Sequence, residues 1–239
     1  MKKKSASKSA FFNRRVLIGL SITALALCGS HAALLATCTL QTTWSDHVGS
    51  WFTAGNWSNG EPDSHTAAQI NNGGDAQINS AILTANACSL TLGLNSGDSG
   101  TVSVDTGSGG TLNVAQDIVV GSNGTGVLDL GTTGTVSGGS IAVGGSGTLA
   151  FNVIPSSTGT ITVSGTATLS SGCSAPCSTV KVTMTGTFTP GTKYTLLTAT
   201  SGLTGTFGTE SFSYPSGQGW TPQITYDSKH FYLYLKPNT

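Results

Sequence analysis

The chain has 239 residues, of which only 8% are charged, 37% are hydrophobic and 33 are glycine. Ten basic residues balance ten acidic ones, but six of the basic ones lie before residue 16, and beyond it only Lys181, Lys193, Lys229 and Lys236 remain, with no arginine. Neutralising phosphates needs Lys and Arg, so this distribution excludes a nucleic-acid partner, and the low charge density leaves solvation to Thr, Ser and Asn.

At the start, Lys2, Lys3, Lys4, Lys8, Arg14 and Arg15 precede the apolar run VLIGLSITALALCG, and Ser30-His31-Ala32 supplies a small-x-small site. This order predicts a secretory signal peptide over residues 1–32, because the apolar run is short for a membrane span. A retained anchor is one competing reading. An acylated lipoprotein is another, since Leu35-Ala36-Thr37-Cys38 loosely imitates a lipobox. Cleavage leaves four lysines against ten acidic residues, a net charge of −6, in a protein expected in the periplasm, at the cell surface or outside the cell.

Cysteine usage agrees with export. Cys28 leaves with the leader, and Cys38, Cys88, Cys173 and Cys177 remain. An even number in an oxidising compartment predicts disulfides. Of the three pairings, proximity favours Cys173 with Cys177 around a small loop and Cys38 with Cys88 as a clamp on the first repeats. Zinc is the rival reading, but no histidine lies near Cys173 or Cys177.

Residues 33–72 read as an N-terminal cap segment. They hold Trp44, Trp51 and Trp57, three of the four tryptophans. A solenoid exposes the apolar end of its first turn, and large aromatics would cover it; the functional reading of the same rings is a surface for stacking glycans. Asp46, His47, Asp63 and His65 also fall here, at spacings that match no metal-ligand pattern, so loop residues and no cofactor are expected.

Residues 73–185 organise the chain. Apolar pairs two residues apart recur along them: Val102/Val104, Leu112/Val114, Ile118/Val120, Leu128/Leu130, Ile141/Val143 and Leu149/Phe151. Gly, Ser, Thr, Asn and Asp fill the gaps. Period-two alternation predicts half-buried strands, and the intervening clusters predict turns. Strands this short bury little alone, so many must stack, which is the logic of a β-solenoid. Asp105, Asp117 and Asp129 recur every twelve residues and would share one side if that were the period; the blander reading makes them turn or surface residues. Asn56-Trp57-Ser58 and Asn123-Gly124-Thr125 match glycosylation sequons, a frequent coincidence in so Ser/Thr-rich a chain.

Residues 186–239 carry KYTLLTATSGLTGTFGTESFSYPSGQGWTPQITYDSKHFYLYL from Lys193 onward. Phe231, Leu233 and Leu235 alternate with Tyr232 and Tyr234, and with Phe212, Trp220 and Tyr226 they predict a denser core than the Gly-rich repeats allow. The Tyr-x-Leu-Leu strand at Tyr194 to Leu197, the Ala-x-x-Gly-x-x-Gly-x-Phe turn ending at Phe207, and Tyr226-Asp227 before an alternating strand resemble the autochaperone region of bacterial autotransporter passenger domains. The spacing Trp44-x6-Trp51-x5-Trp57-x2-Gly60-x-Pro62 resembles the start of the same domains. The resemblance implies an all-β, right-handed parallel β-helix with Tyr194, Phe207, Trp220, Tyr226, Phe231, Leu233 and Leu235 in a closing C-terminal cap. It also implies exposure at the cell surface, as an adhesin. No translocator sequence follows Thr239, which leaves an orphan passenger, a free-standing β-helix, or a partner of a separate outer-membrane translocator.

Two function classes follow. The favoured one is a non-enzymatic exported protein that binds a host or cell-surface protein or glycan. Its rival is a carbohydrate-active β-helix enzyme, a polysaccharide lyase or glycoside hydrolase, which needs two carboxylates about 5–9.5 Å apart in a groove. No Gly-x-Ser-x-Gly elbow or Gly-Gly-x-Gly-x-Asp calcium repeat supports other chemistry.

Overall fold

A computed structural model describes residues 37–170 and 177–239. The signal peptide expected over residues 1–32 and the cysteine Cys173 lie outside the described residues. Among the described residues, twenty-two short strands form about six turns of a β-solenoid, in which each complete turn contributes one strand to each of three sheets. The first and third sheets have seven strands and the second has eight. Within each sheet the strands from successive turns pair in parallel, in register.

Period-two alternation produces this directly. Along Gly147–Ile154 every second residue is buried, and the others face outward. Stacking in register then lines up like positions from turn to turn. Ile70, Leu92, Val120, Val143 and Leu169 form an inward ladder in the first sheet. Ile78, Val104, Leu130, Phe151 and Val182 form one in the second. Ala85, Leu112, Val136, Ile161 and Leu197 form the third. These fifteen side chains are at most 3% exposed. Each is held by contacts to the turns on either side, so no single turn is a core by itself.

The segment expected to precede the solenoid is built into it. Leu40–Thr43 pairs in parallel with Thr66–Ile70, and Val48–Ser50 pairs with Asn72–Ile78, so residues 40–50 already form two sides of the first turn. Residues 51–65 cross the third side without a sheet partner there. Trp44, Trp51 and Trp57 sit inside this turn, 1%, 0% and 3% exposed. The ring of Trp57 meets those of Trp44 and Trp51 edge-on at 4.9 Å, and its Nε1 donates to the Trp51 carbonyl at 2.9 Å. Gly74 has no side chain because a Cβ there would lie 2.5 Å from the Trp44 ring. A disulfide joins Cys38 to Cys88 and ties the chain just before its first strand to the next turn, as the spacing suggested.

The other end is built differently. Lys193–Ala199 is the last strand to pair in parallel within the third sheet. Beyond it His230–Pro237 adds antiparallel, and Trp220–Tyr226 adds antiparallel to that. A bulge between Thr195 and Leu197 turns both Leu196 and Leu197 inward, which accounts for the unalternated Leu-Leu pair. Phe231 is fully buried, with ring centroids 5.8 Å from Phe151, 5.2 Å from Phe207 and 6.4 Å from Tyr226. The Tyr226 hydroxyl accepts the Phe207 N–H. Trp220 packs edge-on against Phe188, and Leu233 and Leu235 are fully buried. Tyr194 stays partly exposed and donates to the Pro155 carbonyl. The hairpin turn is fastened by Asp227, whose carboxylate accepts from the Tyr232 hydroxyl and from the Lys229 and His230 backbone. The hydrogen bond from Tyr232 leads these in holding the Asp227 carboxyl far below the usual carboxylate range. The last strand edge is blunted by Pro222, which has no N–H to offer.

Candidate functional site

The three aspartates spaced by twelve do not share a face. Val102, Leu128, Leu149 and Val180 occupy one ladder position at spacings of 26, 21 and 31 residues, so the true repeat is longer than twelve and irregular. Asp117 lies on the outer face of the first sheet and accepts from Ser140 Oγ at 2.6 Å. Asp105 lies at the corner between the second and third sheets. Asp129 lies on the outer face of the second sheet.

Asp105 is a staple. It is 6% exposed and adopts φ +65°, the one positive φ of a non-glycine residue among the described residues. Its carboxylate accepts from the N–H groups of Gly107 and Gly109 in its own corner, and from the Thr133 N–H and hydroxyl in the next. Burial works against its charge, but these four donors outweigh it and hold the carboxyl below its ordinary value. Gly131 must be glycine, because a Cβ there would lie 1.7 Å from the Asp105 carbonyl oxygen. One of the three acids that a twelve-residue period would have stacked thus has no free acceptor left.

A notch forms beside it because successive corners differ in length. Between Val104 and Thr111 the corner has six residues, 105–110; between Leu130 and Thr135 it has four, 131–134. On the next turn Gly147–Ile154 overruns the end of Thr125–Leu130 by three residues, since Leu130 pairs with Phe151, and then folds back at Ser157–Thr158. The short corner therefore lies between two longer ones. The cleft over it has a volume of about 220 Å³ and is lined by Ser103, Val104, Asp105, Thr106, Asp129, Gly131 and Asn152. An adjoining space of about 250 Å³ shares four of these residues and adds Gly107 and Thr132.

Asp129 forms part of the cleft wall, neighboured by Ser103 on one strand and Ala150 on the other. Its carboxylate receives one long hydrogen bond, 3.4 Å from Asn152 Nδ2, which is shared with the Leu130 carbonyl at 3.3 Å. No other donor reaches it among the described residues. Asp75, two strands away, is by contrast well served: Ser103 Oγ donates at 2.9 Å and Gln77 Nε2 at 3.2 Å. Burial, then the nearby Asp75 charge, push the Asp129 carboxyl above its ordinary value, and Lys181 two strands further on only partly offsets them. A half-buried carboxylate with spare lone pairs is costly and calls for donors.

The remaining predicted residues are accounted for elsewhere. Trp44, Trp51 and Trp57 are buried in the first turn, so none presents a ring face to a glycan. Asp46, His47, Asp63 and His65 form no cluster, and no group of three His, Cys, Asp or Glu comes together among the described residues. Cys177 is disulfide-bonded; its expected partner Cys173 lies outside the described residues. Tyr194, Phe207, Trp220, Tyr226, Phe231, Leu233 and Leu235 all belong to the closing end. Ser103 and Asn152 went unnoticed in the sequence, where they look like two of many polar strand residues. No family model, curated protein or solved structure matches the chain.

Proposed function

We propose that the chain is a non-enzymatic exported β-solenoid that binds other molecules through its long side, in the manner of an autotransporter passenger. One observation carries this. The outer face of the third sheet presents two parallel ladders with no charge in either: Thr84, Thr111, Thr135 and Thr160 in one, and Asn86, Asn113, Ser137 and Thr162 in the other. Thr135 donates to Thr111 at 3.1 Å and Ser137 to Asn113 at 2.7 Å, so the polar groups are ordered before any partner arrives. Regular hydroxyls and amides on strands about 4.8 Å apart suit a flat, polar partner surface. The paired cysteines Cys38 and Cys88 favour an oxidising compartment. Export by a separate translocator and display at the cell surface belong to the same proposal.

The carbohydrate-active reading keeps one supporting observation, the raised carboxyl of Asp129 in a cleft. The second carboxylate in that cleft, Asp105, is fully engaged by donors, which removes the partner a hydrolase pair needs. The test compares adhesion of residues 33–239 to cell surfaces with that of a variant carrying Asn113→Glu and Thr135→Glu. Loss of adhesion supports the reading. Equal adhesion by the variant, or release of reducing sugar from a polysaccharide by the wild-type chain, overturns it.

A further inference from the structure

The geometry points to the notch over Gly131 as a binding site for a neutral oligosaccharide, with the Asp129 carboxylate accepting from two sugar hydroxyls and Asn152 Nδ2 donating beside it. This rests on reading the chain as an interaction protein, and adds to it a ligand class and a second site, at the corner between the second and third sheets.

The notch is built, not incidental. Its depth comes from a four-residue corner between longer neighbours, and the Asp105 staple, with four hydrogen bonds spanning two corners, fixes its lower wall. The overrunning strand that ends at Ile154 sets its upper wall and carries Asn152. Within this rigid frame Asp129 is the one carboxylate whose lone pairs are largely unspent, with a single long contact at 3.4 Å. Asn152 divides its own amide between that contact and a carbonyl, so neither is satisfied by the other. A carboxylate beside an amide offers an acceptor pair and a donor at one point, which matches adjacent hydroxyls on a pyranose ring.

The lining decides against other ligands. Apart from Val104 it consists of Ser, Thr, Asn, Asp and Gly, which suits a hydroxylated ligand better than an apolar one. Asp75 and Asp129 disfavour an anionic sugar, as does the excess of acid over base beyond the leader. A divalent cation needs several oxygen ligands, and the oxygens of Asp105 are already bound to N–H and O–H donors. An extended peptide adds to a free strand edge, whereas the overrunning end of Gly147–Ile154 is already paired with Ser157–Thr158.

The probes are dextran, mannan and laminarin, with hyaluronate as the acidic control, each cast into a native gel through which residues 33–239 are run. Retardation by at least one neutral polysaccharide is expected, with none by hyaluronate. Asp129→Asn keeps the shape, removes the charged acceptor and is expected to weaken binding at least tenfold, the size of one charge-assisted hydrogen bond. Asn152→Ala is expected to weaken it less, and Thr168→Glu on the outer face of the first sheet to leave it unchanged. Melting each variant separates lost binding from lost folding. The proposal is overturned if no neutral polysaccharide retards the wild-type chain, or if Asp129→Asn binds as well as wild type. It is also overturned if calcium alone raises the wild-type melting temperature and not that of Asp129→Asn. Cell adhesion that survives without polysaccharide binding would sink the notch alone and leave the wider reading standing.

Discussion

The two ends of the solenoid solve the same problem with different material. At the start, three indoles and a disulfide fill one turn whose third side has no strand. At the finish, two antiparallel strands extend the third sheet and bring Phe231, Leu233 and Leu235 inward as one buried row. Between them the middle turns rely on Val, Ile and Leu spaced by glycine. Cross-linking constrains the unfolded chain, whereas the closing hairpin works by burial in the folded one. The difference teaches that reductant and cavity mutations should act at opposite ends.

The largest expected effect is at the finish. Phe231→Ala removes a ring that touches three others and is expected to cost about 3–5 kcal/mol, against about 0.5–1.5 kcal/mol for Ile141→Val in a middle turn. Denaturant titration checks both, and equal losses would remove the contrast. Next comes the start: replacing Cys38 and Cys88 with serine opens a link across 50 residues, and a loss of about 2–4 kcal/mol is expected, with reductant, which also opens the Cys177 disulfide, giving at least that loss in wild type.

A smaller effect separates the two acids at the notch. The carboxyl of Asp105 is held below its unfolded value, so its stabilisation is complete above the ordinary aspartate range and is lost as pH falls through the folded value. Asp105→Asn is therefore expected to cost about 1–3 kcal/mol at neutral pH and less in acid. Asp129 is raised, so its charge works against folding above the ordinary range and the penalty disappears as pH falls through the folded value. Asp129→Asn is expected to raise the melting temperature slightly at neutral pH, with no gain below about pH 3.9. Thermal melts at both pH values check the signs, and a neutral-pH loss for Asp129→Asn would contradict the account of that carboxylate.

The fold was legible because its signal is local. Leu149 and Phe151, or Phe231 and Leu233, show the period of two without any knowledge of partners. The Cys38–Cys88 link was one of three pairings open in the sequence, the one that proximity favoured, and it is formed. The notch was not legible, because it depends on register. Asp105 and Asp129 look alike as acids after an apolar residue. Only the pairing of Asp129 with Ser103 and Ala150 shows that one occupies a corner and the other a strand face. Corner length was visible, in GTTG after Leu130 against DTGSGG after Val104, but its meaning came from stacking one on the other. The tryptophans allowed two readings, a cover for the first turn and a stacking surface for glycans, and burial in the first turn removes the second.

Native-state hydrogen exchange on residues 33–239 tests the contrast between the ends and the middle most directly. The slowest exchange is expected in Lys193–Ala199 and His230–Pro237, with the turns around Ile118 and Ile141 opening sooner and the first turn becoming fast only after reduction. Uniform protection along the chain, or slowest exchange in the middle turns, would contradict it.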